Sequence, residues 1–336
     1  MTHVRIGKKV PPAFSLEVDF EIDGVTALFG PAGAGKTLAL EAVAGFVRPD
    51  SGRILRDDVL LFDAEARVHV PPRRRACGYL PQRDALFPQM TVRQNLAFAA
   101  TGARLERHRR NAEMIEKFQL ADAAAHRPAE LDSAQRARAA IARALLAAPK
   151  LLLVDEPDFA EALFFQMRAE FKGPVLLATR SLERCAAMAD QMLVLDRGRI
   201  LRRGSPREVI DQPESIAVAR LLGIPNLFEC TIAGLDPGRK SSRLEFPGFQ
   251  IAAPYLPGHF RGDRLWIAIR PERVRVHSGE HTVAARLLRV SYRPEWVRLE
   301  FEGGLVADIP PEEYARQKDN KEWRVELPAD ALRVLA

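Results

Sequence analysis

Few folds accommodate the segment GPAGAGKT, residues 30 to 37 of this chain. It follows the short apolar run VTALF and opens a stretch, residues 36 to 46, in which apolar residues recur at helical spacing. A strand, a glycine-rich loop and a helix in this order let successive backbone N–H groups surround a polyphosphate at a helix N-terminus. The segment matches GxxxxGK(S/T) completely, so the chain is predicted to be an α/β protein with a P-loop.

The P-loop side chains have separate expected roles. Lys36 is expected to reach the β- and γ-phosphates, and the Thr37 hydroxyl is expected to bind Mg²⁺. The predicted nucleotide contacts in this segment are Gly30, Pro31, Ala32, Gly33, Ala34, Gly35, Lys36 and Thr37.

A second motif, LLLVDE at residues 151 to 156, places two carboxylates at the end of a predicted buried strand. Adjacent residues at a strand end point apart. Asp155 is therefore expected to face Mg²⁺, and Glu156 to face the water that attacks the γ-phosphate. The pattern is weak alone, because many buried strands end in an acidic turn, but downstream of a P-loop it becomes specific.

Composition and charge restrict the class of protein. The 336 residues are 47% hydrophobic and 28% charged, which excludes a disordered or collagen-like chain. The 50 Lys and Arg against 44 Asp and Glu give a net charge of +6. Because the arginines alternate with acidic residues, no nucleic-acid partner is expected. Cys77, Cys185 and Cys230 lack CxxC spacing, which fits a reducing compartment and argues against a zinc site or disulfide framework.

Hydrophobic runs indicate where the chain resides. The N-terminal segment lacks the apolar region of a signal peptide, and charged residues interrupt the most apolar stretch, residues 139 to 154. The chain is therefore expected to be cytoplasmic and not itself embedded in a membrane.

Periodicity divides the chain near residue 224. Before it, predicted strands at 16–20, 25–29, 151–157, 174–180 and 191–200 interleave with predicted helices at 36–46, 95–100, 108–125 and 134–148, which favours a largely parallel sheet. After it, short alternating strands predominate, the clearest at 264–270 and 296–310. Gly303 and Gly304 are expected to form the turn of a hairpin within the last of these.

The motifs together resemble the ATP-binding subunits of ABC transporters, most closely those of the molybdate and sulfate importer type. The resemblance covers essentially the whole chain. It rests on the segments LEVDFEIDGVTALFGPAGAGKT, AGFVRPDSGRI, GYLPQRDALFPQMTVRQNLAF, QRARAAIARALLAAPKLLLVDEP and RGRILRRGSP. It implies an ABC-type domain over residues 1–223, with a helical subdomain at about 83–147, and a β-rich, oligobinding-like regulatory domain over 224–336.

The resemblance also implies ligands and partners. These are ATP and Mg²⁺, integral-membrane permease subunits, and either a second copy or a homologous ATP-binding subunit in a dimer. The chain would then lie on the inner face of the cell membrane. By the same resemblance, Gln82 senses Mg²⁺ and the attacking water, whereas its alternative interpretation is a surface glutamine. Phe14 falls where the family places a ring over adenine, although an aromatic residue at a strand start is as often core.

One departure from the family concerns the segment Leu131-Asp132-Ser133-Ala134-Gln135, which stands where the family has LSGGQ. In a nucleotide-sandwich dimer this segment reaches the partner's γ-phosphate, so Asp132, Ser133 and Gln135 are implied nucleotide contacts. A carboxylate at Asp132 would repel phosphate. For two charges about 4 Å apart at an effective dielectric of about 20, the repulsion is up to about 4 kcal/mol. Asp132 and Gln135 also fit a capping box for the following helix.

Two further departures follow the predicted catalytic glutamate. Arg180 stands where the family has a histidine, and a permanent cation can hold a phosphate but cannot shuttle a proton. The segment between Pro157 and Thr179 is shorter than in the family, and DFAEAL lacks the usual SALD pattern. Glu156, Gln82 and Arg180 are the expected catalytic residues, and Thr37, Gln82 and Asp155 the expected metal ligands.

Two functions are consistent with these residues. The first is the energy-coupling subunit of an importer for an oxyanion such as molybdate or sulfate, with ATP hydrolysis weakened by the departures. The second is a regulatory or assembly protein that binds ATP with little or no hydrolysis, so that ATP selects a conformation.

Overall fold

The computed structural model describes residues 1–82, 86–246, 249–277, 282–319 and 322–335. It divides into two compact units, Met1–Val209 and Ile210–Ala336. The division precedes the predicted boundary near residue 224. Its physical reason is that Arg270 donates to the Ile210 carbonyl and Arg333 to the Asp211 carbonyl, each over 2.9 Å, so these residues are tied to the second unit.

The first unit contains eleven strands and six helices within its described residues. The strands are β1 Thr2–Val10, β2 Phe14–Ile22, β3 Val25–Phe29, β4 Ser51–Arg56, β5 Val59–Asp63, β6 Val68–His69, β7 Cys77–Leu80, β8 Leu151–Asp155, β9 Val175–Thr179, β10 Gln191–Asp196 and β11 Arg199–Gly204. The helices are α1 Lys36–Ala44, α2 Val92–Ala99, α3 Arg104–Lys117, α4 Ser133–Leu146, α5 Glu161–Glu170 and α6 Leu182–Met188. A further helix, α7 Pro206–Asp211, spans the division between the units.

All eleven strands form one mixed sheet in the order β6-β5-β4-β1-β2-β11-β10-β3-β9-β8-β7. Strands β10, β3, β9, β8 and β7 run parallel, whereas β2, β1, β4, β5 and β6 pair antiparallel. The prediction of a largely parallel sheet is therefore correct only for the half formed by β10, β3, β9, β8 and β7. The N-terminal residues form the antiparallel half because β1 pairs with both β2 and β4.

Two other sequence-based assignments are wrong in their bounds. The helix predicted over 108–125 ends at Lys117, because Gln119 adopts a left-handed conformation with φ 52°. The strand predicted over 191–200 is a hairpin, β10 and β11, that turns at Arg197 and Gly198, whose φ values are 46° and 79°. Helices α2, α3 and α4 lie in the stretch predicted as a helical subdomain, and residue 83, its predicted start, lies outside the described residues.

The parallel strands separate two hydrophobic cores. Every residue of β3, β8 and β9 is buried. Because successive side chains of a strand alternate between faces, Leu151 and Leu153 pack with α1, whereas Leu152 and Val154 pack with residues of α4 and α5. The sheet is thus packed against α1 on one face and against α4 and α5 on the other.

The second unit is β-rich, as predicted. Its described strands are β12 Asn226–Asp236, β13 Ser241–Phe246, β14 Phe249–Pro254, β15 Arg264–Ile269, β16 Arg275–Val276, β17 Val283–Ala285, β18 Leu287–Tyr292, β19 Val297–Phe301, β20 Val306–Ile309, β21 Trp323–Glu326 and β22 Arg333–Leu335. Helices α8 Ile216–Leu221 and α9 Pro311–Gln317 accompany them. Strands β19 and β20 form the predicted hairpin, with Gly303 and Gly304 at φ 83° and 82° in its turn.

Within the described residues, no helix is both long enough and apolar enough to span a bilayer.

Candidate functional site

Four parallel strands end at the same edge of the first unit's sheet. The P-loop follows β3, Gln82 lies two residues beyond β7, Glu156 follows β8 and Arg180 follows β9. The carboxyl ends of parallel strands are the usual ligand-binding edge of an α/β sheet. The topology therefore brings together residues that are separated by as many as 150 positions in the chain.

The backbone of the P-loop requires glycine at two positions. At Gly30, a Cβ would lie 2.1 Å from the Leu195 carbonyl oxygen, because β10 passes directly beside the loop. At Gly35, φ is 106° and a Cβ would lie 2.9 Å from the Phe14 ring. Larger residues would thus displace either β10 or Phe14, and the loop shape expected from the sequence depends on these glycines.

Lys36 is held inside the loop that it follows. Its side chain is only 6% exposed, and Nζ donates to the carbonyl oxygens of Gly30 and Pro31 at 2.7 and 3.0 Å. Nζ also lies 3.1 Å from Glu156 Oε1. The loop therefore presents an ammonium group whose neighbours are carbonyl oxygens and one carboxylate, and phosphate oxygens are suitable replacements for these acceptors.

Asp155 lies beside the hydroxyl of Thr37. Thr37 Oγ1 donates to Asp155 Oδ1 over 3.2 Å, and the Asp155 side chain is 4% exposed. Burial raises the pKa of this carboxyl group, so a cation at the site would favour its ionised form. Hydroxyl and carboxylate oxygens are the ligands that Mg²⁺ prefers, and this pair fits the expected metal site.

The described residues do not form a metal site from amino acids alone. No group of three or more His, Cys, Asp or Glu side chains among them is arranged to hold an ion. Mg²⁺ usually keeps several waters and binds through one or two protein oxygens plus substrate phosphates, so this finding agrees with the donor set at Thr37 and Asp155.

Glu156 directly follows the last residue of β8, and its carboxylate contacts other residues than the Asp155 carboxylate does. Its backbone is left-handed, with φ 44°, and its carboxylate contacts Lys36 and Arg180. Arg180 holds it twice: the backbone N–H donates to Oε2 at 3.1 Å, and Nε lies 3.5 Å from Oε1. The Arg180 side chain is 57% exposed, so this second ion pair is screened by solvent more than the first.

One cleft collects most of the predicted site residues. Its lining consists of Val10, Phe14, Ala32, Gly33, Gly35, Lys36, Thr37, Leu38, Gln82, Glu156 and Arg180. Val10 and Leu38 were not predicted, although Val10 ends the strand that precedes Phe14 and Leu38 directly follows Thr37. The lining combines apolar side chains with the cationic Lys36 and Arg180, which suits a nucleobase attached to a polyphosphate.

The three residues of the altered signature segment lie outside this cleft. Asp132 caps α4: its Oδ1 accepts from the Gln135 N–H at 2.7 Å, and its own N–H donates to Gln135 Oε1 at 3.0 Å. Ser133 lines a different groove, together with Gln82 and Asp155. The capping box predicted from the sequence is therefore present, whereas contact of Asp132, Ser133 and Gln135 with a partner's nucleotide stays a prediction.

Tyr79 is a neighbour of the site that sequence reasoning did not single out. Its hydroxyl donates to Asp155 Oδ2 over 3.4 Å. Its sequence signal is its place in GYLPQ, three residues before Gln82, on a strand parallel to the one that carries Asp155.

Phe14 is expected to contribute to nucleotide affinity. Its ring lies against the P-loop at Gly35 and lines the cleft. Replacing Phe14 with alanine should weaken ATP binding about tenfold, the loss typical of a base–aromatic stack, as measured by fluorescent-nucleotide displacement. Phe14→Tyr, which keeps a π face, is the matched control. Equal affinity of Phe14→Ala and the wild type would assign the ring to the core alone.

Comparisons with known proteins agree with this geometry. The family model described as ABC transporter matches residues 14–158. A molybdenum import ATP-binding protein of Rhodospirillum rubrum is 33% identical over 82% of this chain and 79% of that protein. A second, from Rhizobium etli, is 30% identical over 99% of this chain and 91% of that protein.

A solved structure shares the fold over two thirds of this chain. An ATP binding subunit of an ABC transporter superposes with a TM-score of 0.54 at 25% identity, covering 66% of this chain and 93% of that one. Because the relatives match most of the chain and the P-loop lies at the ligand-binding edge of the sheet, the chain belongs to the family of ABC transporter ATP-binding subunits.

Proposed function

We propose that this chain is the energy-coupling subunit of an importer for an oxyanion such as molybdate, and that it binds and hydrolyses ATP with Mg²⁺. The observation that carries the proposal is the cleft in which Phe14, Lys36, Gln82 and Glu156 converge. The relatives named as molybdenum import proteins support the class of cargo.

The proposed roles follow from the contacts. Lys36 exchanges its carbonyl and Glu156 contacts for phosphate oxygens, and the P-loop N–H groups bind the remaining phosphate charge. Phe14 stacks on the base. Thr37, Asp155 and Gln82 are the side chains that would hold Mg²⁺, which neutralises phosphate charge when bound.

Glu156 is the proposed base for the attacking water. When Lys36 turns to phosphate, Glu156 loses one of its two cationic neighbours and keeps Arg180. Its carboxylate is then available to orient water, although Arg180 competes for the same oxygens. The position of Glu156 therefore supports hydrolysis, and the contacts of Arg180 with its carboxylate support a slow rate.

Partners and position are part of the same proposal. ABC transporter ATP-binding subunits close as dimers on two nucleotides, and α2, α3 and α4 form the subdomain proposed to dock on a permease. The chain would then lie in the cytoplasm against the inner face of the membrane, with itself or a homologous subunit as its dimer partner.

Glu156→Gln provides the test of hydrolysis. The variant keeps the shape of the side chain and removes the base, so the ATPase rate should fall at least about a hundredfold while ATP affinity is retained. The measurement is phosphate release beside nucleotide binding, with Glu161→Gln on α5 as the matched control. Wild-type turnover no faster than that of Glu156→Gln would contradict a hydrolytic role.

Uptake in vesicles tests the coupling role. This subunit is the sole ATPase in the vesicles, beside its permease. ATP supplied on the membrane face that carries the subunit should drive molybdate uptake with the wild type and not with Glu156→Gln. Uptake of sulfate instead would correct the cargo, and absence of any ATP-driven uptake would contradict the importer.

A second candidate function rests on Asp132 and Arg180. Asp132 is committed to capping α4, and Arg180 holds the catalytic carboxylate through two contacts. These features favour an ATP-binding regulatory or assembly protein in which ATP selects one conformation and is not consumed.

A further inference from the structure

The carboxylate of Asp155 is held at both of its oxygens. Thr37 Oγ1 donates to Oδ1 at 3.2 Å, and the Tyr79 hydroxyl donates to Oδ2 at 3.4 Å. Thr37 belongs to the P-loop helix, whereas Tyr79 belongs to β7, a separate strand. A carboxylate with one donor at each oxygen has a fixed plane, since rotation about its Cβ–Cγ bond would break both contacts.

The fold determines where the Tyr79 hydroxyl lies. Strand β7 pairs in parallel with β8, and Tyr79 is the register partner of Leu153. Side chains two positions apart on a strand share a face, so Asp155 lies on the same face as Leu153. Tyr79 is therefore the β7 residue whose side chain can reach along this face to Asp155.

The Tyr79 ring is itself supported from the end of the P-loop helix. Phe46, just beyond the α1 C-cap, meets the ring edge-on, with centroids 5.5 Å apart and an interplanar angle of 70°. Such aromatic pairs have a preferred geometry and restrict rotation of both rings. The hydroxyl is thus presented to Asp155 by a ring that packs between a strand and a helix end.

We propose that Tyr79 is a positioning residue that orients the Asp155 carboxylate, so that Asp155 and Thr37 together bind the Mg²⁺ of Mg²⁺-ATP. The inference rests on the proposed function, because it assigns Tyr79 a role at the same site. Tyr79 does not line the nucleotide cleft and acts only through Asp155.

Tyr79→Phe tests this role with a minimal change. Phenylalanine keeps the ring and its packing on Phe46 and removes the donor to Asp155 Oδ2, while Thr37 still donates to Oδ1. The full-length chain is titrated with ATP by fluorescent-nucleotide displacement, once in Mg²⁺ and once in EDTA. The Mg²⁺-dependent gain in ATP affinity should fall about fivefold, the loss expected for one hydrogen bond, while the affinity in EDTA stays unchanged.

Control variants separate positioning from packing. Tyr255→Phe makes the same chemical change at a residue that is not part of the cleft lining, and it should leave both affinities unchanged. Binding of Mn²⁺ at saturating ATP, followed by electron paramagnetic resonance, should weaken in Tyr79→Phe by the same factor.

Two results would overturn the inference. One is an unchanged Mg²⁺-dependent gain in Tyr79→Phe, and the other is an equal loss in Mg²⁺ and EDTA with a lowered melting temperature, which indicates packing alone. Either result leaves the proposed function intact if the wild type still binds Mg²⁺-ATP. Absence of nucleotide binding by the wild type would instead overturn the proposed function and this inference with it.

Discussion

Replacing Lys36 with methionine is expected to lower the affinity for ATP by at least about a hundredfold, since charge-assisted hydrogen bonds to phosphate are among the strongest contacts in such a site. Lys36 is buried and lines the cleft, and within the described residues no other lysine lines it. Methionine fills similar space with an apolar chain, so the P-loop glycines and α1 keep their packing. The measurement is fluorescent-nucleotide displacement in Mg²⁺.

The control for Lys36→Met is Lys172→Met, which removes an exposed lysine away from the cleft. Because Lys36 also pairs with Glu156 at 3.1 Å, its loss leaves a part-buried carboxylate with Arg180 alone. Thermal unfolding of both variants therefore accompanies the titration. A folded Lys36→Met variant with wild-type affinity would show that the cleft does not bind triphosphate through this lysine.

The edge of the sheet that carries the P-loop could be predicted from the sequence because its motifs are formed by residues adjacent in the chain. The P-loop lies between a strand and a helix that each have a clear period, so GPAGAGKT defines its own neighbours. The carboxylates 155 and 156 were placed at a strand end for the same reason. Parallel strands then bring their carboxyl ends to one edge without further information.

What could not be predicted depends on pairing between distant segments. Strand β1 carries an alternation in Val4, Arg5 and Ile6, but only its pairing with β2 and β4 makes that half of the sheet antiparallel. The contact of Tyr79 with Asp155 requires that β7 and β8 pair in a given register across 76 positions. No local sequence pattern predicts either register.

Helix ends were predicted unevenly for a related reason. The start of α4 carries its own signal, because Asp132 and Gln135 form a capping box that depends on three-residue spacing alone. The end of α3 does not: Phe118, Leu120 and Ala123 are buried and continue an apolar helical pattern beyond Lys117. Packing against the core sets that end, and a single left-handed residue, Gln119, interrupts the helix.

The second large effect is expected from Asp132 and Arg180, two residues that depart from the family's pattern. The double variant Asp132→Ser, Arg180→His should hydrolyse ATP at least about tenfold faster than the wild type, as measured by phosphate release at saturating Mg²⁺-ATP. Histidine at position 180 releases the Glu156 carboxylate from a permanent cation at 3.5 Å and restores a group that exchanges protons near neutral pH. Serine at position 132 removes a carboxylate from the surface proposed to meet a partner's phosphate.

The substitutions are chosen so that the fold survives. Serine is as good an N-cap as aspartate, so α4 keeps its first turn when Asp132 is replaced. The backbone N–H of residue 180 still donates to Glu156, since only the side chain changes. Asp132→Asn and Arg180→Lys are the matched controls, because the first removes charge without supplying a hydroxyl and the second keeps the cation.

The outcome shows whether Asp132 and Arg180 limit hydrolysis. Tight ATP binding with negligible wild-type turnover that the double variant rescues would mean a degenerate site, and it would favour either the regulatory function or a heteromeric dimer in which a partner supplies an intact signature. Fast wild-type turnover that neither substitution changes would contradict the expectation that Asp132 and Arg180 slow ATP hydrolysis. Glu156 would then work beside Arg180 as it stands, and the exposed guanidinium would be free to turn toward phosphate once Lys36 has left the carboxylate.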